Sequence, residues 1–167
     1  MTAVWLLLAC SQDPVLVGLA EEEVLQAEEA SGPVRYEKGE GVLVDVAYLG
    51  GRAWDEVRGE VELQMGQIQE RVERGRDGVE IRLDRGMIRV VDQQVQLLRV
   101  ELPYAMRRSQ ALENLGLPPQ VREWHGNERD WVTHHNFGFE RIRMGRDEPD
   151  SELVVWVEAR KFNPRRR

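Results

Sequence analysis

Arg52 to Gly75 reads RAWDEVRGEVELQMGQIQERVERG, and the spacing of its apolar residues decides the fold. Trp54, Val57, Val61, Met65, Ile68 and Val72 follow one another at intervals of 3, 4, 4, 3 and 4. At 3.6 residues per turn these six share one stripe, which predicts an amphipathic helix of about six turns ending near Gly75. The period then changes. Val79, Ile81 and Leu83 alternate, as in a strand with one buried face. Arg85-Gly86 suits a tight turn, and Ile88 and Val90 carry the same face across it. Asp92-Gln93 makes a second turn, and Val95, Leu97 and Val100 return. The reading is a helix followed by a three-stranded antiparallel meander. Upstream, Val42 to Leu49 reads as a strand between glycines.

The same order recurs. Pro103 ends the meander and opens a second helix, since proline is tolerated in a first turn. Gly116 stops that helix after Leu115, and Pro118-Pro119 blocks its continuation. Strands follow at Trp131 to His135, Phe139 to Met144 and Leu153 to Phe162, the last two joined by the loop Asp147 to Asp150. The expected fold class is α+β: two helix-plus-antiparallel-sheet units in tandem, residues 42–102 and 103–164, behind an acidic N-terminal tether of residues 11–41.

The second unit carries a resemblance. Ala105-Met106-Arg107-Arg108-Ser109-Gln110-Ala111-Leu112-Glu113-Asn114-Leu115-Gly116-Leu117-Pro118 resembles the helix motif of the SmpA/BamE family of small outer-membrane lipoproteins. Met106, Ala111, Leu115, Gly116 and Pro118 fall at that family's spacing, while Ala105 and Arg107 replace its Gly and its Thr cap. Tandem units of this kind are similar to the β-lactamase-inhibitor-protein fold. The resemblance implies a periplasmic scaffold or binding protein, and it brings no catalytic residue with it.

The N-terminus points to the same compartment. Leu6-Leu7-Leu8-Ala9-Cys10, with the sole cysteine of the chain, resembles the lipobox of bacterial lipoproteins. Cleavage before Cys10 and lipid on its sulfur would leave residues 1–10 outside the fold as a signal remnant. Nine residues precede the cysteine and none is basic, so this reading places the true start upstream of Met1. The competing reading makes Val4 to Ala9 a buried strand or helix turn with an ordinary buried cysteine. The net charge of −7 belongs to the tether: residues 11–51 carry nine acidic and two basic side chains, and residues 52–167 carry 21 of each. Arginine outnumbers lysine 21 to 2. The arginines alternate with acids, which describes a mixed solvated surface and argues against nucleic acid as a partner.

Candidate chemistry is sparse. His125, His134 and His135 are the only histidines, and neighbours on a strand point to opposite faces, so no metal site is expected. No serine sits in a nucleophile motif and no glycine-rich phosphate loop occurs, so no catalytic residue and no cofactor is assigned. Trp54 and Trp156 are expected in the core. Trp124 and Trp131 flank the polar run His125 to Asp130, and with Arg129 they are the candidate partner-binding residues, because tryptophan and arginine are enriched at binding hot spots.

The favoured expectation is a non-enzymatic cell-envelope lipoprotein, anchored to a membrane through Cys10 and presenting a surface to an envelope protein partner. Two alternatives stay open: a small periplasmic enzyme or ligand-binding protein with a cleft between the two units, and a cytosolic adaptor, if the lipobox is accidental.

Overall fold

A computed structural model describes residues 42–121 and 123–161, which fall in a single unit spanning Arg35–Arg167. The lipobox, Cys10 and the acidic tether lie outside the described residues. The elements run α1 (Val46–Leu49), α2 (Trp54–Met65), β1 (Ile68–Glu73), β2 (Val79–Leu83), β3 (Gly86–Val91), β4 (Gln94–Arg107), α3 (Arg108–Glu113), β5 (His125–Gly126), β6 (Asp130–Asn136), β7 (Phe139–Arg146) and β8 (Leu153–Arg160), with a 3-10 turn at Gly75–Asp77.

The strands form one antiparallel sheet in the order β1-β2-β3-β4-β8-β7-β6-β5. This corrects the expected fold class. β4 pairs directly with β8, from Leu97 opposite Arg160 to Arg107 opposite Leu153. Hydrogen bonding therefore fills the place where a cleft between two tandem units was expected. The molecule is mostly antiparallel sheet with three short helices, and the SmpA/BamE-like arrangement of helix plus separate sheet is absent among the described residues.

The first helix is half as long as its stripe predicted. Trp54, Val57, Val61 and Met65 are buried as expected, but α2 stops at Gly66, whose φ of 89° no helix contains. Asp84 enforces the stop: its carboxylate accepts the Gln67 amide at 2.8 Å and occupies the space a Cβ at position 66 would need. Ile68 and Val72 continue in β1. A spacing of four fits one helix face and one strand face alike, so the apolar pattern could not mark the change. A bulge between Ile68 and Glu70 then puts Val72 opposite Glu80.

The meander forms as expected, except that a bulge opposite Arg89 and Val90 puts Leu98 in the core in place of the expected Leu97. β2, β3 and β4 pair in sequence, and Asp92 and Gln93 both have positive φ (51° and 62°), the pattern of a type I′ hairpin turn. Ile81, Leu83, Ile88, Val90, Val95, Leu98 and Val100 pack with the α2 stripe in one core. The strand expected at Val42 to Leu49 is instead a loop and α1. Asp45 caps α1 by accepting the Tyr48 amide at 2.9 Å, and the amides of Leu43 and Val44 both donate to the Asn114 carbonyl beyond α3.

The second helix is also shorter than expected. Pro103 lies inside β4, and α3 begins only at Arg108. Between the pairs Glu101–Trp156 and Met106–Val154, four residues of β4 stand opposite one of β8. Pro103 sits in that wide bulge, where its missing N–H costs no ladder hydrogen bond. Gly116 does stop the helical segment, with φ 67° and the Leu117 amide returning to the Leu112 carbonyl at 2.9 Å. β6, β7 and β8 fall where their patterns placed them. No helix among the described residues is long and apolar enough to cross a membrane.

Candidate functional site

Trp131 stands on β6 opposite Met144 of β7 and Gly126 of β5. The indole lies across Gly126, where a Cβ would collide with it, so the glycine makes room for the ring. Two guanidiniums lie over that ring, Arg108 at 3.9 Å and Arg146 at 4.1 Å from the centroid. The contact is electrostatic, between a cation and the negative face of the π system. Each arginine is also held elsewhere. Arg108 pairs with Glu152 at 3.4 Å, and Arg146 Nη1 donates to the Ser151 carbonyl at 2.6 Å. Both tethers lie in the Ser151-Glu152 segment that leads into β8, so the β7–β8 loop fixes the stack.

A groove of about 590 Å³ opens beside this stack. Arg107, Arg108, Leu112, Pro119, Val121 and Trp124 are among the residues that line it. Trp124 is half-buried and lies 5.9 Å from the Arg108 guanidinium. Exposed apolar groups border the same end of the sheet. Tyr104, 59% exposed, rises from the β4 bulge, and Leu153, 37% exposed, pairs with Arg107.

The two tryptophans proposed from sequence are thus brought together by Arg108. Arg129 is not part of that stack through a resolved side-chain contact: it is exposed in the turn before β6, where its carbonyl accepts the Arg146 amide at 2.9 Å. Sequence reasoning missed Arg108, Arg146 and Glu152. They are three among many charged residues, and only the packing of α3 against β4 and β8 selects them.

Trp54 is buried beneath α2 as expected, but Trp156 is not a core residue. Val154 and Val157 both reach the core, a spacing of three that a regular strand cannot provide. The irregular register at this point turns Trp156 to the opposite, helix-free face, between Arg99 at 4.3 Å and Arg143 at 5.7 Å. That face is a lattice of charges. Glu80 is buried there with Arg74 (3.3 Å), Arg82 (3.6 Å) and Arg89 (3.2 Å) around it. The hydrogen bond from Arg74 leads, Arg89 adds to it, and together they outweigh desolvation and hold the Glu80 carboxyl below its ordinary range. Asp130 is similar. Burial alone would raise it, but hydrogen bonds from Arg143 and Asn127 prevail and lower it.

The histidines are all exposed. His134 and His135 do not alternate as neighbours on a regular strand would, because His135 has φ 54°, and their rings lie 6.4 Å apart. Among the described residues no three His, Cys, Asp or Glu side chains are grouped closely enough to hold a metal ion.

No protein-family model matches the chain. No curated protein matches it either. A search of solved structures finds similarity to an extracellular protein containing an SCP domain from Bacillus anthracis str. Ames, with 9% identity and a TM-score of 0.46. The match covers 78% of this chain and 50% of that one, so the chain spans about half the length of that protein.

Proposed function

We propose that this chain is a non-enzymatic binding module of the cell envelope, held at a membrane by lipid on Cys10, and that it docks a protein partner in the groove beside Arg108. The observation that carries the reading is the Trp124–Arg108–Trp131 assembly beside an open groove, with Tyr104 and Leu153 exposed on the adjoining strands β4 and β8. Tryptophan, tyrosine and arginine supply large contact area with few rotatable bonds, the composition of binding hot spots. Arg108 is already oriented by its ring and by Glu152, so little side-chain entropy remains to be lost when a partner arrives. The groove offers apolar side chains next to a guanidinium, which suits a peptide segment with an apolar anchor and a nearby carboxylate or carbonyl.

Site-specific photo-crosslinking in cells tests this. A photoreactive residue at position 153 should give one discrete protein adduct, and the same residue at position 63, on the outer side of α2, should not. Equal adducts from both positions, or none from 153, contradict the proposal.

A further inference from the structure

Leu97 is 7% exposed, yet it is not part of the core beneath the helices. Its register partners are Arg89 on β3 and Arg160 on β8, so all three share the helix-free face. Leu97 lines a second groove, of about 580 Å³, together with Val91 and the Gly75–Gly78 turn. It lies at the Arg160 end of β8, whereas the groove of the partner site lies at the Glu152 end. Pockets of several hundred Å³ are of metabolite size.

The polar lining is specific. Arg76, Arg89, Arg160 and Lys161 line the groove, and Asp77 and Asp92 stand with them. Arg89 gives Nη2 to Glu80 at 3.2 Å, and its Nε is buried with no partner among the described residues. Arg160 reaches Glu140 only at 3.6 Å. Gln96 commits Nε2 to Gln94 at 3.3 Å, and its Oε1 is likewise buried without a partner there. Both atoms are closed to solvent, so an occupant of the groove relieves their desolvation cost by drawing the Arg89 and Gln96 side chains round towards it. The complement of such a lining is an anionic oxygen for the guanidiniums with a hydroxyl donor beside it for Gln96.

We propose that this groove binds a small hydroxylated organic anion, a carboxylate or phosphate ester, between Arg89, Arg160 and Gln96. The site is independent of the partner groove.

Nuclear magnetic resonance titration of the full chain tests it, with glucose 6-phosphate and gluconate as probes and glucose as the neutral control. Either anion should shift the Gly75 and Gly78 amides, the Gln96 side-chain amide and Arg89 Nε–H saturably in the millimolar range. A response to the phosphate alone assigns a phosphate ester, a response to gluconate alone assigns a carboxylate, and both keep the proposal. Arg160→Gln should weaken binding roughly tenfold, the loss of one charge-assisted contact, with an unchanged urea midpoint. Arg89→Gln should weaken it as well; Arg160→Gln keeps the test valid if loss of the Glu80 contact unfolds that variant. No saturable shift from either anion, equal shifts from glucose, or full affinity in Arg160→Gln overturns the site.

Discussion

Arg108 holds its guanidinium 3.9 Å from the centre of the Trp131 ring, joining the first residue of α3 to the first core-side position of β6. The two are 23 positions apart in sequence and meet only because α3 packs over the β4–β8 end of the sheet. The contact ties the proposed binding surface to the fold's stability, and that connection can be measured.

Trp131→Ala removes a half-buried indole and its contacts with two guanidiniums. It should cost about 2 to 4 kcal/mol, and a double-mutant cycle with Arg108→Ala should give a coupling of about 1 kcal/mol. Urea denaturation of the four proteins reads both values. Strictly additive effects would show that the arginine does not engage the ring.

The end of α2 is open to a paired test. Gly59 lies within the helix with open space where a Cβ would go, so Gly59→Ala should stabilise by about 0.5 to 1 kcal/mol. Gly66 has positive φ and faces the Asp84 carboxylate, so Gly66→Ala should destabilise by more than about 1 kcal/mol. Had the helix run to Gly75, both changes would stabilise.

Glu80 and Asp130 make stability depend on acid. Their folded-state pKa values are lowered, so their contribution is complete above the ordinary carboxylate range and is lost as pH falls through the lowered values. Glu80→Gln should therefore be less stable than the native chain at about pH 7, and the gap should narrow below about pH 4 as the native carboxyl protonates. Urea midpoints across that range measure it. A gap of constant size would mean that Glu80 contributes through packing and not through charge.

The lipid anchor proposed from Leu6 to Cys10 predicts incorporation of a labelled fatty acid that disappears in Cys10→Ala. Labelling that survives the substitution removes the anchor.

Much of the sheet was legible in the sequence, and its organisation was not. Val79 to Val90 alternate, with clear turn residues at Asp92-Gln93, and the three strands pair as read, although a bulge exchanges Leu98 for Leu97 on the core face. Ile68 and Val72 are spaced by four, which suits a helix face and a strand face alike, so the positive φ at Gly66 is what marks the change. Pro103 is as compatible with a strand bulge as with a first helical turn, and taking the second option divided a continuous β4 into two elements. Once that strand was cut, its pairing with β8 could not be foreseen, and one sheet read as two. Trp124 and Trp131 could be singled out as candidates because tryptophans flanking a polar run are unusual, and both rings lie near Arg108. Arg108, Arg146 and Glu152 were not, since nothing local separates them from other solvated charges. Trp156 was misplaced because a bulge near Val155 inverts the alternation that would bury it.

The claim that a protein partner docks on the Arg108 groove is tested most directly by adduct yield from a photo-crosslinker at position 153 in native and Arg108→Ala chains of equal abundance. Loss of a charged, stacked hot-spot residue should reduce the adduct roughly tenfold or more. An undiminished adduct in the folded variant would contradict the account.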